Sequence, residues 1–141
     1  MPNDATPALR ESFQPEGLMQ RRVGGHLLYS HALAITGGQK LVYVSGQVSR
    51  DAEGTVVGKG DMRAQIEQVC ANVAIALAAA GAGWEHVVRT TTYVTDIEAF
   101  FQHPDVRMRY FGLGLPASST IGITRLSHPD FLVEIDATAI I

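Results

Sequence analysis

The stretch Leu41-Val42-Tyr43-Val44 runs directly into Ser45-Gly46-Gln47, and its side chains are apolar or aromatic at four consecutive positions. In a strand these alternate between the two faces, so both faces of this strand carry apolar groups and both need cover. Ser45, Gly46 and Gln47 interrupt the run with small and polar residues. A glycine following a buried strand lets a ligand approach the backbone closely, which makes Ser45 and Gly46 candidate binding residues.

Working outward toward the N-terminus, Leu27 to Ile35 is largely apolar and is separated from Leu41 by Thr36-Gly37-Gly38, which predicts two strands joined by a glycine turn. Residues 1–20 hold Asp4, Glu11, Glu16 and three prolines with only isolated apolar residues. They are expected to be an extended or flexible lead-in, with the domain proper over residues 21–141.

Toward the C-terminus, the glycines of Asp51 to Gly60 predict an exposed hairpin or loop. Asp61 then caps a first helix in which Ile66, Val69, Cys70, Val73 and Leu77 repeat at three-and-four spacing until Gly81 stops it. Val87 to Val94 is rich in β-branched residues and reads as a strand. Asp96 caps a second helix, Pro104 gives a further start signal inside it, and Gly112 is expected to end it. Thr120 to Leu126 and Phe131 to Ile140 are expected to close the domain as two strands around a Ser127–Asp130 turn. In the last strand Phe131, Val133, Ile135, Ala137 and Ala139 share the face that meets the helices, while Leu132, Glu134, Asp136, Thr138 and Ile140 share the other.

The expectation is an α+β domain with a mixed sheet of about six strands and two helices on one face. Two helices cover one face only, so the outward residues of Leu41–Val44, with Leu132 and Ile140, need another partner. Self-association through the open face is expected.

The 141 residues suit one domain that buries about 70% of its unfolded surface. With 46% hydrophobic and 18% charged residues the composition is globular, and no apolar run reaches the roughly 20 residues of a membrane helix. The N-terminus lacks the basic and apolar regions of a secretory leader, so a cytoplasmic location is expected. A net charge of −3, with no basic run longer than Arg21-Arg22, disfavours nucleic acid as a partner. Cys70 is the single cysteine, which excludes an internal disulfide, and its place in the helical stripe makes it a buried hydrophobe. His26, His31, His86, His103 and His128 show no ligand spacing, and neither a phosphate-binding loop nor a Gly-x-Ser-x-Gly elbow occurs. No metal and no cofactor is expected.

Tyr29-Ser30-His31-Ala32, Val44-Ser45-Gly46-Gln47, Asn72, Thr90 to Asp96, Pro116-Ala117-Ser118-Ser119-Thr120 and Val133-Glu134-Ile135-Asp136 together, in this order and spacing, resemble the RidA (YjgF-like) family from Tyr29 to Ile140. The resemblance implies a chorismate-mutase-like fold and a homotrimer whose sheets line a central barrel, with small-metabolite clefts at the subunit boundaries. It also implies hydrolysis of reactive enamines and imines to a keto acid and ammonia, without metal or organic cofactor. Carried over by motif, the cleft takes in Tyr29, Ser45, Gly46, Ser118 and Ser119 as binding residues, and Glu134 to position a water for attack on an imine carbon.

The sequence departs from that pattern at Ser118, where members active on imino acids carry the arginine of Pro-Ala-Arg-Ser, a bidentate partner for the substrate carboxylate. Serine brings no charge, so a substrate other than a simple amino-acid imine is expected. Arg21, Arg22, Arg89 and Arg125 are alternative sources of positive charge. Two readings follow: an enamine or imine deaminase, and a non-catalytic metabolite-binding protein or sensor that keeps the clefts. An RNA hydrolase is disfavoured by the acidic balance. For Glu134 the competing role is a solvated or salt-bridged edge residue, and Asp136 is expected to pair with an arginine of the same or a neighbouring subunit.

Overall fold

The computed structural model describes residues 7–20 and 22–141; Arg21 and the Met1–Thr6 part of the expected lead-in lie outside the described residues. In chain order the elements are β1 (Leu9–Phe13), β2 (Arg22–Val23), β3 (His26–Leu27), β4 (Ala32–Thr36), β5 (Leu41–Val48), α1 (Met62–Ala79), β6 (Val87–Val94), α2 (Ile97–Phe101), α3 (Pro104–Gly114), β7 (Ala117–Gly122) and β8 (Val133–Ile140). The main sheet runs β5-β8-β6-β7, with β1-β4 and β2-β3 as separate pairs. β8 is antiparallel to both neighbours, whereas β6 and β7 are parallel.

α1 forms where its pattern predicts. Asp61 Oδ1 accepts the Ala64 amide at 3.0 Å, and Gly81, at φ +80°, turns the chain out of the helix. Ile66, Val69, Cys70, Val73 and Leu77 are wholly buried beneath it. They pack on Val42, Val44, Ile135, Ala137 and Ala139, the helix-side residues of β5 and β8. α3 lies beside α1, joined by the forked Arg63–Asp105 pair (3.0 and 2.7 Å) and by Arg109–Glu67 at 2.6 Å. The Arg107 guanidinium sits over Phe100 at 4.7 Å and Phe111 at 5.2 Å, which lets a charged side chain be buried among apolar ones.

Several local expectations need correction. β4 does not pair with β5 across the Gly37-Gly38 turn; it pairs with β1, because the Gln39 and Lys40 amides both bond the Ile141 carbonyl and start β5 on β8. Four strands therefore make the main sheet, and part of the expected lead-in is a paired strand. The second helix divides into α2 and α3 at His103, with Pro104 in the first turn, and α3 ends at Gly114 with Leu115 in the left-handed region, not at Gly112. The strand after it spans Ala117–Gly122 rather than Thr120–Leu126, and it does not neighbour β8. A parallel strand needs a crossover, and α2 and α3 carry the chain back to the outer side of β6.

The face of the sheet away from the helices stays open. Tyr43 is 77% and Leu41 51% exposed, while Val42 and Val44, which alternate with them, are buried. At one end of that face the segment between β7 and β8 folds over, and Leu126 and Phe131 bury Val48 beside Tyr93.

Candidate active site

Glu134 sits on the open side of β8, with Val48 of β5 and Tyr93 of β6 as its lateral neighbours. Between Val44 and Gln47, β5 carries one residue more than the β8 segment opposite it, a β-bulge that re-aims the backbone. The bulge sets Gly46 against the glutamate: a Cβ built at position 46 would lie 2.8 Å from Glu134 Cδ and 3.1 Å from Oε1. Only a residue without a side chain leaves the carboxyl where it is. Burial, and secondarily the negative charge of Asp136 two residues along, push the Glu134 pKa above the ordinary glutamate value. Ser45 beside it is exposed, and its carbonyl accepts Gln47 Nε2 at 3.1 Å. Ser45, Gly46 and Glu134 thus form one group at the β5 edge.

A second group lies at the β7 edge. Ser118 is the register partner of Thr90 on the helix-covered side, and its hydroxyl bonds the Thr90 hydroxyl at 2.9 Å. Ser119 faces the open side and accepts Arg89 Nη2 at 2.8 Å. Tyr29 is tied to the start of β7 through Ser30, whose amide donates to Pro116 O at 3.3 Å and whose hydroxyl donates to Leu115 O at 2.6 Å. The Tyr29 ring meets His31 edge-on at 5.3 Å.

Within one chain these two groups do not meet. Ser118 is two strands and three residues from Glu134, on the order of 14 Å by strand spacing and rise, and it points to the opposite face. Val48 and Tyr93, the walls beside Glu134, and Thr90, the partner of Ser118, were not singled out from sequence. The alternation in Val87–Val94 carried the faces of Thr90 and Tyr93, but the bulge that selects their neighbours has no signal beyond Gly46 itself.

Arg22 bonds the Gly25 carbonyl and Gln20 Oε1, both at 3.1 Å, within its own hairpin. No salt bridge to Asp136 forms among the described residues. Burial drives the Cys70 thiol up to about 12, so it stays protonated and unreactive. Among the described residues no three His, Cys, Asp or Glu side chains stand close enough to hold a metal ion, and no helix is long and apolar enough to cross a membrane.

The mixed sheet backed by helices on one face is the fold of solved Rid-family structures. The conserved Rid-family protein YyfB from Yersinia pestis, itself of unknown function, superposes with a TM-score of 0.78 at 33% identity, over 94% of this chain and 98% of its own. Protein DfrA of Myxococcus xanthus is 38% identical over 79% of this chain and 84% of its length. Human 2-iminobutanoate/2-iminopropanoate deaminase is 29% identical over 79% of each. Residues 20–141 match the family model described as Endoribonuclease L-PSP, and the chain belongs to that family, the YjgF/RidA family.

Proposed function

We propose that this chain hydrolyses reactive enamines or imines of small metabolites, with Glu134 as the proton-handling group. The observation that carries this reading is the Glu134 carboxyl seated against Gly46, partly withdrawn from water and with its pKa raised. As a carboxylate it accepts a proton from a water molecule while that water's oxygen bonds to the imine carbon. Glu134 returns that proton to the former imine nitrogen, giving a neutral carbinolamine; it then takes the carbinolamine hydroxyl proton and delivers it to the amine nitrogen as the carbon–nitrogen bond breaks, so that ammonia leaves a carbonyl product. Water is consumed and ammonia released, with no change of oxidation state. The deaminase name of the human relative supports the same chemistry.

The two groups of candidate residues are read as halves of one cleft, Ser45, Gly46 and Glu134 from one copy and Tyr29, Ser118 and Ser119 from the next. Their placement at opposite edges of the sheet supports this, and the exposed Leu41 and Tyr43 offer the surface for assembly into a homotrimer. A second reading, binding without turnover, is favoured by one observation: Ser118 brings no charge and its hydroxyl is engaged with Thr90. The test is keto-acid release from freshly generated 2-iminopropanoate and from a larger imine. Turnover above background that falls about 100-fold in Glu134→Gln is expected for the hydrolase. Saturable metabolite binding with no product over hours would establish the second reading.

A further inference from the structure

A cavity of about 500 Å³ opens at the other end of β8, where Ile140 and Ile141 form part of its wall. By strand rise it is roughly 20 Å from Glu134. Its volume lies in the usual range of small-molecule sites, about 300–1,000 Å³. Pro7, Ile140 and Ile141 make much of the wall apolar, and four residues with nitrogen-bearing side chains line it: Arg10 on β1, Gln39 and Lys40 ahead of β5, and His86 ahead of β6. Among the described residues no Asp or Glu side chain lines it.

Arg10 is the unusual member. Its Nη2 donates to the carbonyls of Val87 and Gly114, both at 2.7 Å, which fixes the guanidinium against neutral partners. Its Nη1 is shielded and has no partner among the described residues, and burial holds the pKa of the group below the ordinary arginine value. A partly buried cation with no counter-charge among the described residues is costly, and an anion in the adjoining cavity would relieve that cost. His86 Nδ1 accepts the Gly83 amide at 3.0 Å, so it has no proton to offer Glu85, 3.6 Å away. In the neutral ring the proton therefore sits on Nε2, which remains a donor. Lys40 Nζ bonds the Ala80 carbonyl at 3.1 Å and keeps two further N–H groups.

We propose that this cavity is a second binding site, for a small monocarboxylate with a short aliphatic or aromatic tail. The carboxylate lies among Arg10, Lys40 and His86, and the tail lies on Pro7, Ile140 and Ile141. The site is independent of the chemistry assigned to Glu134.

The experiment titrates the full-length chain with hexanoate and with benzoate, following backbone amide shifts, and uses hexan-1-ol as the uncharged control. Saturable shifts at Lys40, Gly81 and Ile141 are expected with the carboxylates, and hexan-1-ol should bind at least tenfold more weakly. Lys40→Gln and His86→Phe should each weaken hexanoate by roughly tenfold, the scale of one charge-assisted hydrogen bond. Both should leave Glu134-dependent turnover unchanged. Arg10 also ties Val87 to Gly114, so the test rests on the other two variants. Absence of saturation, equal binding of hexan-1-ol, or shifts confined to Gly46 and Glu134 would overturn the proposal.

Discussion

Gly46 and Glu134 are one functional unit because the backbone of the first occupies the space a side chain would need. In Gly46→Ala the added methyl meets the far end of a flexible side chain, so the carboxyl swings away while the strand holds. The expected cost is about 1 kcal/mol of stability. Turnover should fall by about 100-fold, since the reacting group moves by the order of an ångström. Melting curves and initial rates measured on the same preparation separate these two effects. The raised pKa of Glu134 has its own signature. Between the ordinary carboxylate range and the raised value, the folded chain keeps a proton that the unfolded chain has released, so stability falls as pH rises through that window. Above it, ionised Glu134 is a burden on the fold that Glu134→Gln removes. The variant is therefore expected to melt higher than the parent at neutral pH, with the gain vanishing in acid below the ordinary carboxylate range. Thermal melts across that span test the sign.

At the scale of elements, α1 is bound to the start of β8 by one buried polar side chain. Gln65 Nε2 donates to the Gly58 and Asp130 carbonyls at 3.0 and 2.8 Å, and its Oε1 accepts the Leu132 amide at 2.9 Å. Gln65→Leu keeps the volume and strands three backbone groups, for an expected loss of about 3 kcal/mol by chemical denaturation. The helical stripe of α1 was legible in the sequence because Ile66, Val69, Cys70, Val73 and Leu77 repeat at the helical period, and the faces of Val133–Ile140 were legible from strict alternation; Phe131 and Leu132 precede the strand and pack on the sides opposite to those the alternation assigned them. Gln65 was not, since a glutamine next to that stripe looks like a surface residue until its three partners are brought to it. Strand neighbours were the other loss. Nothing local in Thr120–Leu126 says that β7 runs parallel to β6, because that pairing depends on where α2 and α3 deliver the chain. The candidate residues stand out in the sequence as motifs, but their division between two edges of the sheet follows only from the register.

For the whole molecule, the helices cover one face of the sheet and leave Leu41, Tyr43 and Ile121 in the open on the other. Assembly through that face, as proposed above, makes a defined outcome for Tyr43→Asp. The parent is expected to sediment as a trimer at micromolar concentration. The variant is expected to sediment as a folded monomer with turnover near background, because each cleft would then lack its second half. A variant that stays trimeric and active would remove the open face from the assembly.

The position of β8 also has a kinetic consequence. It is bonded on one side to β5 and on the other to β6, yet it follows every other element in the chain. During synthesis β5 and β6 share no neighbour, and the apolar stripe of α1 lacks much of its floor, until residues 133–140 clear the ribosome. Pairings between β5 and β8 span most of the domain, and such distant partners form slowly. From the completion of α1 at Ala79 until β8 joins the sheet, the helix thus keeps its apolar stripe partly uncovered, a window in which collapsed or misassociated forms compete with folding.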